Sequence, residues 1–297
     1  MYAAVGVAIF VTYARSPVSE LYHVSGTGLE AGASRALVFL NFSTALAAIA
    51  VLLVLLDRLQ TRLELGLAAV AIMLCAAPFW PGVVNQSNLD ARPVNAVAAV
   101  GVALALVLTL RASSRDVASR PERRQGDLLR VAVGVLLLAL GLPWIAAELG
   151  FSFDSVPVLG TLYQTGELRL QPGDPVFHPA VHHGHHHGMD GVLLVGTALV
   201  LSRVVPAIGA RWLRGVLGAY LAVMLCYGVG NIANDFWLEQ VTKRGWTSWE
   251  VPDVTTPKAT TAWGLIVVAA VVLCLIFVLP LVRSPDGQAR RSTTAMP

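Results

Sequence analysis

Long apolar runs that are almost free of charge constrain the fold of this chain more than any other feature. An α-helix needs about 20 mostly apolar residues to cross a hydrocarbon core that is about 30 Å thick. Backbone groups inside a bilayer must be hydrogen-bonded within the protein, which favours helices for such runs. The sequence therefore predicts an all-α, polytopic integral membrane helical bundle of about eight transmembrane helices, forming a single membrane domain over residues 1–297. The eight runs cover residues 2–14, 36–56, 65–83, 94–110, 128–149, 189–205, 213–232 and 261–282.

The first run is short for a membrane crossing, so seven helices is the alternative. The composition supports the membrane class, because only 13% of residues are charged, against about 25% in a soluble domain. The basic residues are arginines except for Lys243 and Lys258. That bias indicates a high-GC bacterial genome. It does not indicate a nucleic-acid partner, because the arginines fall in short loops. Cysteines occur only inside apolar runs, so we expect no disulfide.

The distribution of charge predicts the orientation in the membrane. The loops at 57–64, 111–127, 203–214 and 283–297 hold most of the 21 Lys and Arg residues. Basic loops remain on the cytoplasmic side. We therefore expect a plasma-membrane protein with both termini in the cytoplasm and with 111–127 as a basic cytoplasmic loop. Tryptophans favour the headgroup zone, and six of the seven lie at the other face: Trp80, Trp144, Trp237, Trp246, Trp249 and Trp263.

This orientation places the two longest loops, 150–188 and 233–260, outside the cytoplasm. The first contains "GTLYQTGELRLQPGDP", in which Thr165-Gly166 between alternating runs predicts a β-hairpin. The second opens with "NDFWLEQVTKRGW", which predicts a short interfacial helix ended by Gly245. Patterns of this kind favour an ordered extracytoplasmic cap made from both loops. A protein partner could dock on such a cap.

Six of the seven histidines lie in "HPAVHHGHHHGMDG", residues 178–191, where the first long loop enters an apolar run. Spacings of three and four residues recur through this segment, and in a helix they bring side chains onto one face. Neutral imidazole nitrogen suits Zn, Cu, Ni and Fe, and a nearby carboxylate can bind the metal or orient a ring. The segment predicts a divalent transition-metal site drawn from His178, His182, His183, His185, His186, His187 and Asp190.

Two other interpretations of the histidines stay open at this point. The segment is also compatible with a polar loop that binds no ligand. It is compatible with a pH sensor as well, because closely spaced imidazoles resist joint protonation near pH 6. The spacing does not separate weak surface chelation from a functional site.

Short stretches of the segment resemble motifs of two families. "HPAVHH" and "HHGHHH" resemble the HxxxHH and HxxHH boxes of membrane di-iron fatty-acid hydroxylases and desaturases. Those enzymes use several separated boxes, usually on the cytoplasmic side, whereas this chain has one cluster on the predicted outer face. "HHGMDGVLLVG" resembles the HPxxGxDH element of nickel permeases, with Gly191 where that family has its last histidine. These stretches are too short to assign a family.

Further polar residues converge on the predicted outer face, and polar groups in or near a bilayer tend to have a partner or a role. They suggest a polar cavity that opens outward. The set is Glu20, Tyr22, His23, Asn41, Ser43, Thr44, Asn85, Gln86, Asn88, Asp90, Arg92, Glu148, Asn231, Asn234 and Asp235.

The sequence thus favours an outward-facing His/Asp metal site for metal-dependent chemistry on a membrane lipid or lipid-linked substrate. Water activated by a bound Zn would be the simplest mechanism, with Asp190, Asp235 or Glu148 as unranked candidate bases. One alternative is a transition-metal permease or metal-delivery protein. The other is a non-catalytic membrane subunit whose outer loops dock a partner. The sequence has no P-loop, GxSxG or HExxH motif.

Overall fold

The structure is a computed structural model of the whole chain. It describes residues 7, 11, 26–80, 83, 90–114, 123–124, 126–148, 156–158, 168–169, 177–179, 186–252, 254 and 259–283. Apart from residues 7 and 11, the predicted first helix at 2–14 lies outside this part of the chain.

The described residues form a helical bundle, which confirms the all-α class. Its long helices are α1 (Gly28–Leu56), α2 (Arg62–Ala76), α3 (Pro93–Ser113), α4 (Asp127–Glu148), α5 (His186–Ser202), α6 (Arg211–Trp237) and α7 (Thr261–Leu273). Tight 3₁₀ turns follow α2 at Ala77–Phe79 and α5 at Val205–Ala207. Wider π turns extend α6 through Leu238–Thr242 and join α7 to α8 (Leu279–Arg283) through Cys274–Val278.

Six helical segments among the described residues are long and apolar enough to cross a membrane: Gly28–Leu56, Arg62–Phe79, Pro93–Ser113, Gly188–Ala207, Arg211–Thr242 and Thr261–Arg283. A multi-pass membrane protein is therefore supported. The 22-residue helix α4 lies on another apolar run, the one expected at 128–149. The total of about eight crossings stays a prediction.

Local capping explains where several helices begin. Thr61 and Glu64 form a capping box at the start of α2, in which Glu64 N–H donates to Thr61 Oγ1 over 3.2 Å and Thr61 N–H donates to Glu64 Oε2 over 3.3 Å. Thr260 Oγ1 accepts a bond from Trp263 N–H at the start of α7. Such bonds satisfy backbone donors that have no partner within the helix.

A carboxylate from another helix caps α6. Asp57, at the end of α1, accepts hydrogen bonds from Gly209 N–H at 3.1 Å and from Ala210 N–H at 3.4 Å. A negative charge at this position also interacts favourably with the helix dipole. The contact fixes the start of α6 against the end of α1 at the predicted cytoplasmic side.

Glycines allow close approach between neighbouring helices. A Cβ atom at Gly191 on α5 would lie 2.6 Å from the carbonyl oxygen of Gly228 on α6, which is closer than real Cβ atoms come. At Gly141 on α4, a Cβ atom would lie 2.7 Å from Val192 Cγ2 on α5. Helix α5 is thus held tightly between α4 and α6.

Helix α6 differs from the sequence expectation at its outer end. The apolar run ends at residue 232, and a separate short helix was expected to follow. In the structure α6 continues without a break to Trp237 and then into the π turn. Asn231, Asp235 and Glu239 are buried against neighbouring elements, so their polarity does not end the helix. Gly245 then adopts φ +76°, where the sequence predicts the helix to stop.

The first long loop contains an antiparallel pair, β1 (Leu168–Arg169) with β2 (His178–Pro179), in which Arg169 faces His178. This pairing lies on the C-terminal side of the predicted Thr165-Gly166 turn, which itself falls outside the described residues. The two-residue strands do not change the helical class of the protein.

The second long loop folds back over the end of α6. Trp237 Nε1 donates to Trp249 O over 2.9 Å, and the two rings stack edge to face with centroids 5.2 Å apart. Asn234 Nδ2 donates to Val251 O over 3.0 Å. This loop is therefore ordered against the bundle. A joint cap with the first loop remains a prediction.

Candidate functional site

Asp190 is the site residue that the structure places most clearly. It lies in the first turns of α5, it is buried, and Ser43 Oγ on α1 donates to its Oδ1 over 2.6 Å. Its position near a helix N-terminus also favours negative charge. The carboxylate is therefore held by a hydroxyl group from another helix, in a place with little access to water.

The neighbouring residues of α1 fix the start of α3. Asn41 Nδ2 donates to Asn95 O, and Asn95 Oδ1 accepts from Arg92 N–H over 2.8 Å. Ser34 Oγ, two turns earlier on α1, accepts from Ala91 N–H over 2.8 Å. We call the buried polar residues at this level of α1, α3 and α5 the outer polar cluster: Asn41, Ser43, Thr44, Asn95 and Asp190.

A row of polar residues on α6 and on the π turn that extends it lies at the same end of the bundle. Asn231, Asp235 and Glu239 are four residues apart, so they share one helix face, and all three are buried. Asn231 Nδ2 donates to Tyr227 O over 2.9 Å, and Glu239 Oε1 forms a 2.7 Å ion pair with Lys243 Nζ. The close contact of Gly191 with Gly228 brings this region of α6 against the turn of α5 that carries Asp190.

The predicted outer polar residues thus divide into three groups. Asn41, Ser43, Thr44, Asn231 and Asp235 are buried in the bundle. Asn234 instead bonds to the second long loop, and before α3 Asp90 is half-buried and Arg92 is exposed. The remaining members, Glu20, Tyr22, His23, Asn85, Gln86, Asn88 and the side chain of Glu148, lie outside the described part of the chain.

Sequence reasoning missed Asn95, Glu239 and Gln240, all of which are buried. The signal for Glu239 was its spacing of four and eight residues from Asp235 and Asn231. Asn95 carried a weaker signal, as a polar residue in the first turn of an otherwise apolar helix.

The structure describes the backbone at three of the six histidines that were predicted as metal ligands. His186 and His187 lie in the first turn of α5, four and three residues before Asp190. His178 lies in β2, paired with β1. His182, His183 and His185 fall outside the described residues.

One part of the geometric argument for the histidines is therefore wrong. His178 and His182 were expected to share a helix face through their spacing of four, but the backbone at His178–Pro179 is paired as a strand. Gly184 also weakens helix formation between His178 and the start of α5. Helical spacing holds from His186 onward.

Within the part of the chain whose side chains are described, no three His, Cys, Asp or Glu residues are grouped closely enough to hold a metal ion. The histidine side chains of the segment 178–187 lie outside that part. At this end of the bundle the carboxylate of Asp190 is fixed by Ser43, and it lies one helical turn after His186 and His187. Comparison with protein-family models, curated proteins and solved structures finds no match for this chain.

Proposed function

We propose that this multi-pass membrane protein binds a divalent transition metal at its outer end and uses it for chemistry on a lipid or lipid-linked substrate. The ligands would come from the histidines of the segment 178–187. Asp190 would serve as a further ligand or as the group that orients one imidazole ring. Zn, Cu, Ni and Fe all suit such donors.

The observation that carries the proposal is the position of Asp190. Helix α5 begins at His186, and Asp190 lies one turn later with its carboxylate held by Ser43. Carboxylates that orient metal-binding imidazoles are themselves usually fixed by hydrogen bonds. A ligand set that begins on this turn would therefore rest on α1 as well as α5, and not on a loop alone.

The metal content of the purified protein tests the proposal. The full chain would be purified through a tag that is not a metal chelator, and its bound metal would be measured by mass spectrometry. We expect about one metal per chain, with affinity that falls steeply below about pH 6 because imidazole must be neutral to bind.

A double variant, His186→Ala with His187→Ala, should lose the metal and keep the helical content measured by circular dichroism. The variant His23→Ala, outside the segment, is the control and should keep the metal. Stoichiometric metal in the double variant, or wild-type protein that never contains metal, would show that the histidines form a polar loop only.

The same preparation separates the proposed enzyme from a permease. An enzyme should hold its metal tightly, whereas a permease should exchange the ion and carry it into proteoliposomes. Net transport of a metal by the purified chain would contradict the enzyme proposal and support a permease or metal-delivery protein.

The order of the second long loop favours a second candidate, a non-catalytic subunit that docks a protein partner. Trp246 and Trp249 lie on this ordered loop with 72% and 58% of their surface exposed, and tryptophan is enriched at protein interfaces. A panel of cysteine pairs across the loops 150–188 and 233–260 tests whether they form one docking surface. The cap is refuted if no pair crosslinks in membranes and external protease cuts both loops rapidly.

A further inference from the structure

Three arginines gather around one carboxylate at the predicted cytoplasmic end of α4 and α5. Arg203 Nε lies 3.1 Å from both carboxylate oxygens of Asp127, and Arg130 Nη1 lies 3.2 Å from Asp127 Oδ1. Arg124 Nη1 donates to Arg203 O over 2.7 Å. We call Arg124, Arg130 and Arg203 the basic cluster.

The cluster is held in place from several sides. Arg130 Nε donates to Ser202 Oγ over 3.0 Å, and Arg124 N–H donates to Asp127 Oδ2 over 2.9 Å. These contacts join the segment before α4, the first turn of α4 and the end of α5. The arginines are therefore positioned by the fold, although about a quarter to a third of the Arg130 and Arg203 side chains remains exposed.

The surrounding segment carries an excess of positive charge. Residues 111–130 contain six arginines against three acidic residues, Asp116, Glu122 and Asp127, and Arg203 adds another positive charge. Basic clusters next to a transmembrane helix attract the negative surface of the cytoplasmic leaflet. The field of this region thus favours an anionic partner.

Exposed apolar side chains lie next to the cluster. Leu128 and Leu129 at the start of α4 are 84% and 68% exposed, and Val200 near the end of α5 is 68% exposed. Each lies within one helical turn of an arginine of the cluster. The combination of fixed guanidinium groups with exposed aliphatic side chains fits an amphipathic ligand better than a soluble one.

We propose that the basic cluster binds the phosphate headgroup of an anionic phospholipid in the cytoplasmic leaflet, with its acyl chains against Leu128, Leu129 and Val200. Guanidinium groups bind phosphate oxygens through paired, charge-assisted hydrogen bonds. Asp127 acts as a positioning residue, since it holds Arg130 and Arg203 side by side. This site is at the opposite end of the bundle from the proposed metal site and does not depend on it.

Lipid retention by the intact protein tests this proposal. The full chain would be reconstituted in nanodiscs of phosphatidylcholine with a minor fraction of phosphatidylglycerol, extracted in mild detergent, and weighed by native mass spectrometry. We expect the retained lipid to be enriched in phosphatidylglycerol over the bulk mixture. Replacing one arginine, as in Arg203→Gln or Arg130→Gln, should lower that enrichment about tenfold, because the variant loses a charge-assisted hydrogen bond to the phosphate.

Two further variants keep the test decisive. Arg111→Gln removes a basic residue of the same segment at the end of α3, outside the basic cluster, and should lower the enrichment much less than Arg203→Gln does. Arg203→Lys retains the charge with little risk to folding and should give an intermediate value, because lysine lacks the paired donors. The folded state of each variant is checked by circular dichroism.

Three results would overturn the proposal. The first is retention of the two lipids in the bulk ratio. The second is an equal loss in Arg111→Gln, which would show a diffuse field and no site. The third concerns the thermal unfolding temperature of the protein. If inorganic phosphate added to pure phosphatidylcholine nanodiscs raises this temperature as much as phosphatidylglycerol does, the ligand is a soluble anion.

Discussion

Ser43 on α1 and Asp190 on α5 are joined by a 2.6 Å hydrogen bond although 147 residues separate them in sequence. The bond links the middle of the longest helix to the first turns of the helix that begins in the histidine segment. Any ligand that binds beside Asp190 would therefore meet a carboxylate whose position depends on α1.

Replacing Ser43 by alanine should destabilise the protein by about 1.5–3 kcal/mol, the range for a hydrogen bond to a charged group. The free energy of unfolding in detergent measures this effect. Ser113→Ala is the control, because its exposed hydroxyl bonds only within α3, to Thr109 O, and should change stability by no more than about 0.5 kcal/mol. In an Asp190→Asn background, the cost of Ser43→Ala should shrink. Equal stability of Ser43→Ala and Ser113→Ala would contradict the buried bond.

Replacing Gly191 by alanine should force α5 away from α6, because the added Cβ would lie 2.6 Å from both Gly228 O and Ile232 Cγ1. Overpacking of this kind costs about 1–3 kcal/mol, and thermal unfolding measures it. The control on the same helix is Gly196→Ala, where the nearest atom, Leu137 Cδ2, lies at an ordinary contact distance of 3.8 Å. A Gly191→Ala protein as stable as Gly196→Ala would show that the helices are not so close.

Replacing Asp57 should separate its capping role from its charge. Asp57→Ala removes the acceptor for Gly209 N–H and Ala210 N–H and should cost about 1 kcal/mol. Asp57→Asn keeps a side-chain oxygen, and asparagine caps helices about as well as aspartate, so it should stay near wild type. Equal losses in both variants would show that charge, and not capping, is what matters.

The contribution of Asp127 should depend on pH. The backbone hydrogen bond from Arg124 lowers the pKa of this carboxyl below its usual value, and the guanidinium groups of Arg203 and Arg130 lower it further. A depressed pKa means that the stabilisation is fully present above the unfolded pKa of about 3.9 and is lost as the pH falls through the folded pKa. The stability gap between wild type and Asp127→Asn should therefore be constant near neutral pH and close in acid. A gap that widens in acid would contradict this sign.

Reporter fusions should reveal the orientation in the membrane. A fusion at residue 120 should give a cytoplasmic signal and one at residue 170 an extracytoplasmic signal, because basic loops remain inside. The reverse pattern would place the histidine segment in the cytoplasm. It would favour the di-iron hydroxylase interpretation, since those enzymes usually carry their histidine boxes on that side.

Apolar runs predicted the interior of the helices well and their ends less well. Helix α4 lies within one residue of its run at each end. Helix α1 begins at Gly28 and not at residue 36, because the earlier turns are polar yet still helical, with Ser34 bonded to the segment before α3. Hydropathy measures transfer from water and does not register polar residues that are hydrogen-bonded between helices.

The sequence did not predict which side chains form hydrogen bonds with one another in the candidate site. Asp190 was singled out because it lies four and three residues after His186 and His187, but no pattern identified Ser43 as its donor. Such pairs depend on which helices pack side by side, and helical periodicity does not predict which helices become neighbours. The error at His178 has a different cause, because its spacing fitted a helix while the strand pairing with Arg169 decided the backbone.

The unequal lengths of two membrane spans have a consequence for the outer surface of the protein. At 1.5 Å per residue, the 29 residues of α1 extend about 43 Å, whereas the 20-residue span Gly188–Ala207 that contains α5 extends about 30 Å. The hydrocarbon core is about 30 Å thick, so the second span matches it and the first exceeds it. Tilting can absorb part of an excess length, but the first two turns of α1 contain Glu30, Ser34 and Arg35. These turns should therefore stand above the hydrocarbon core, and the bond from Ala91 N–H to Ser34 Oγ should be insensitive to acyl-chain length.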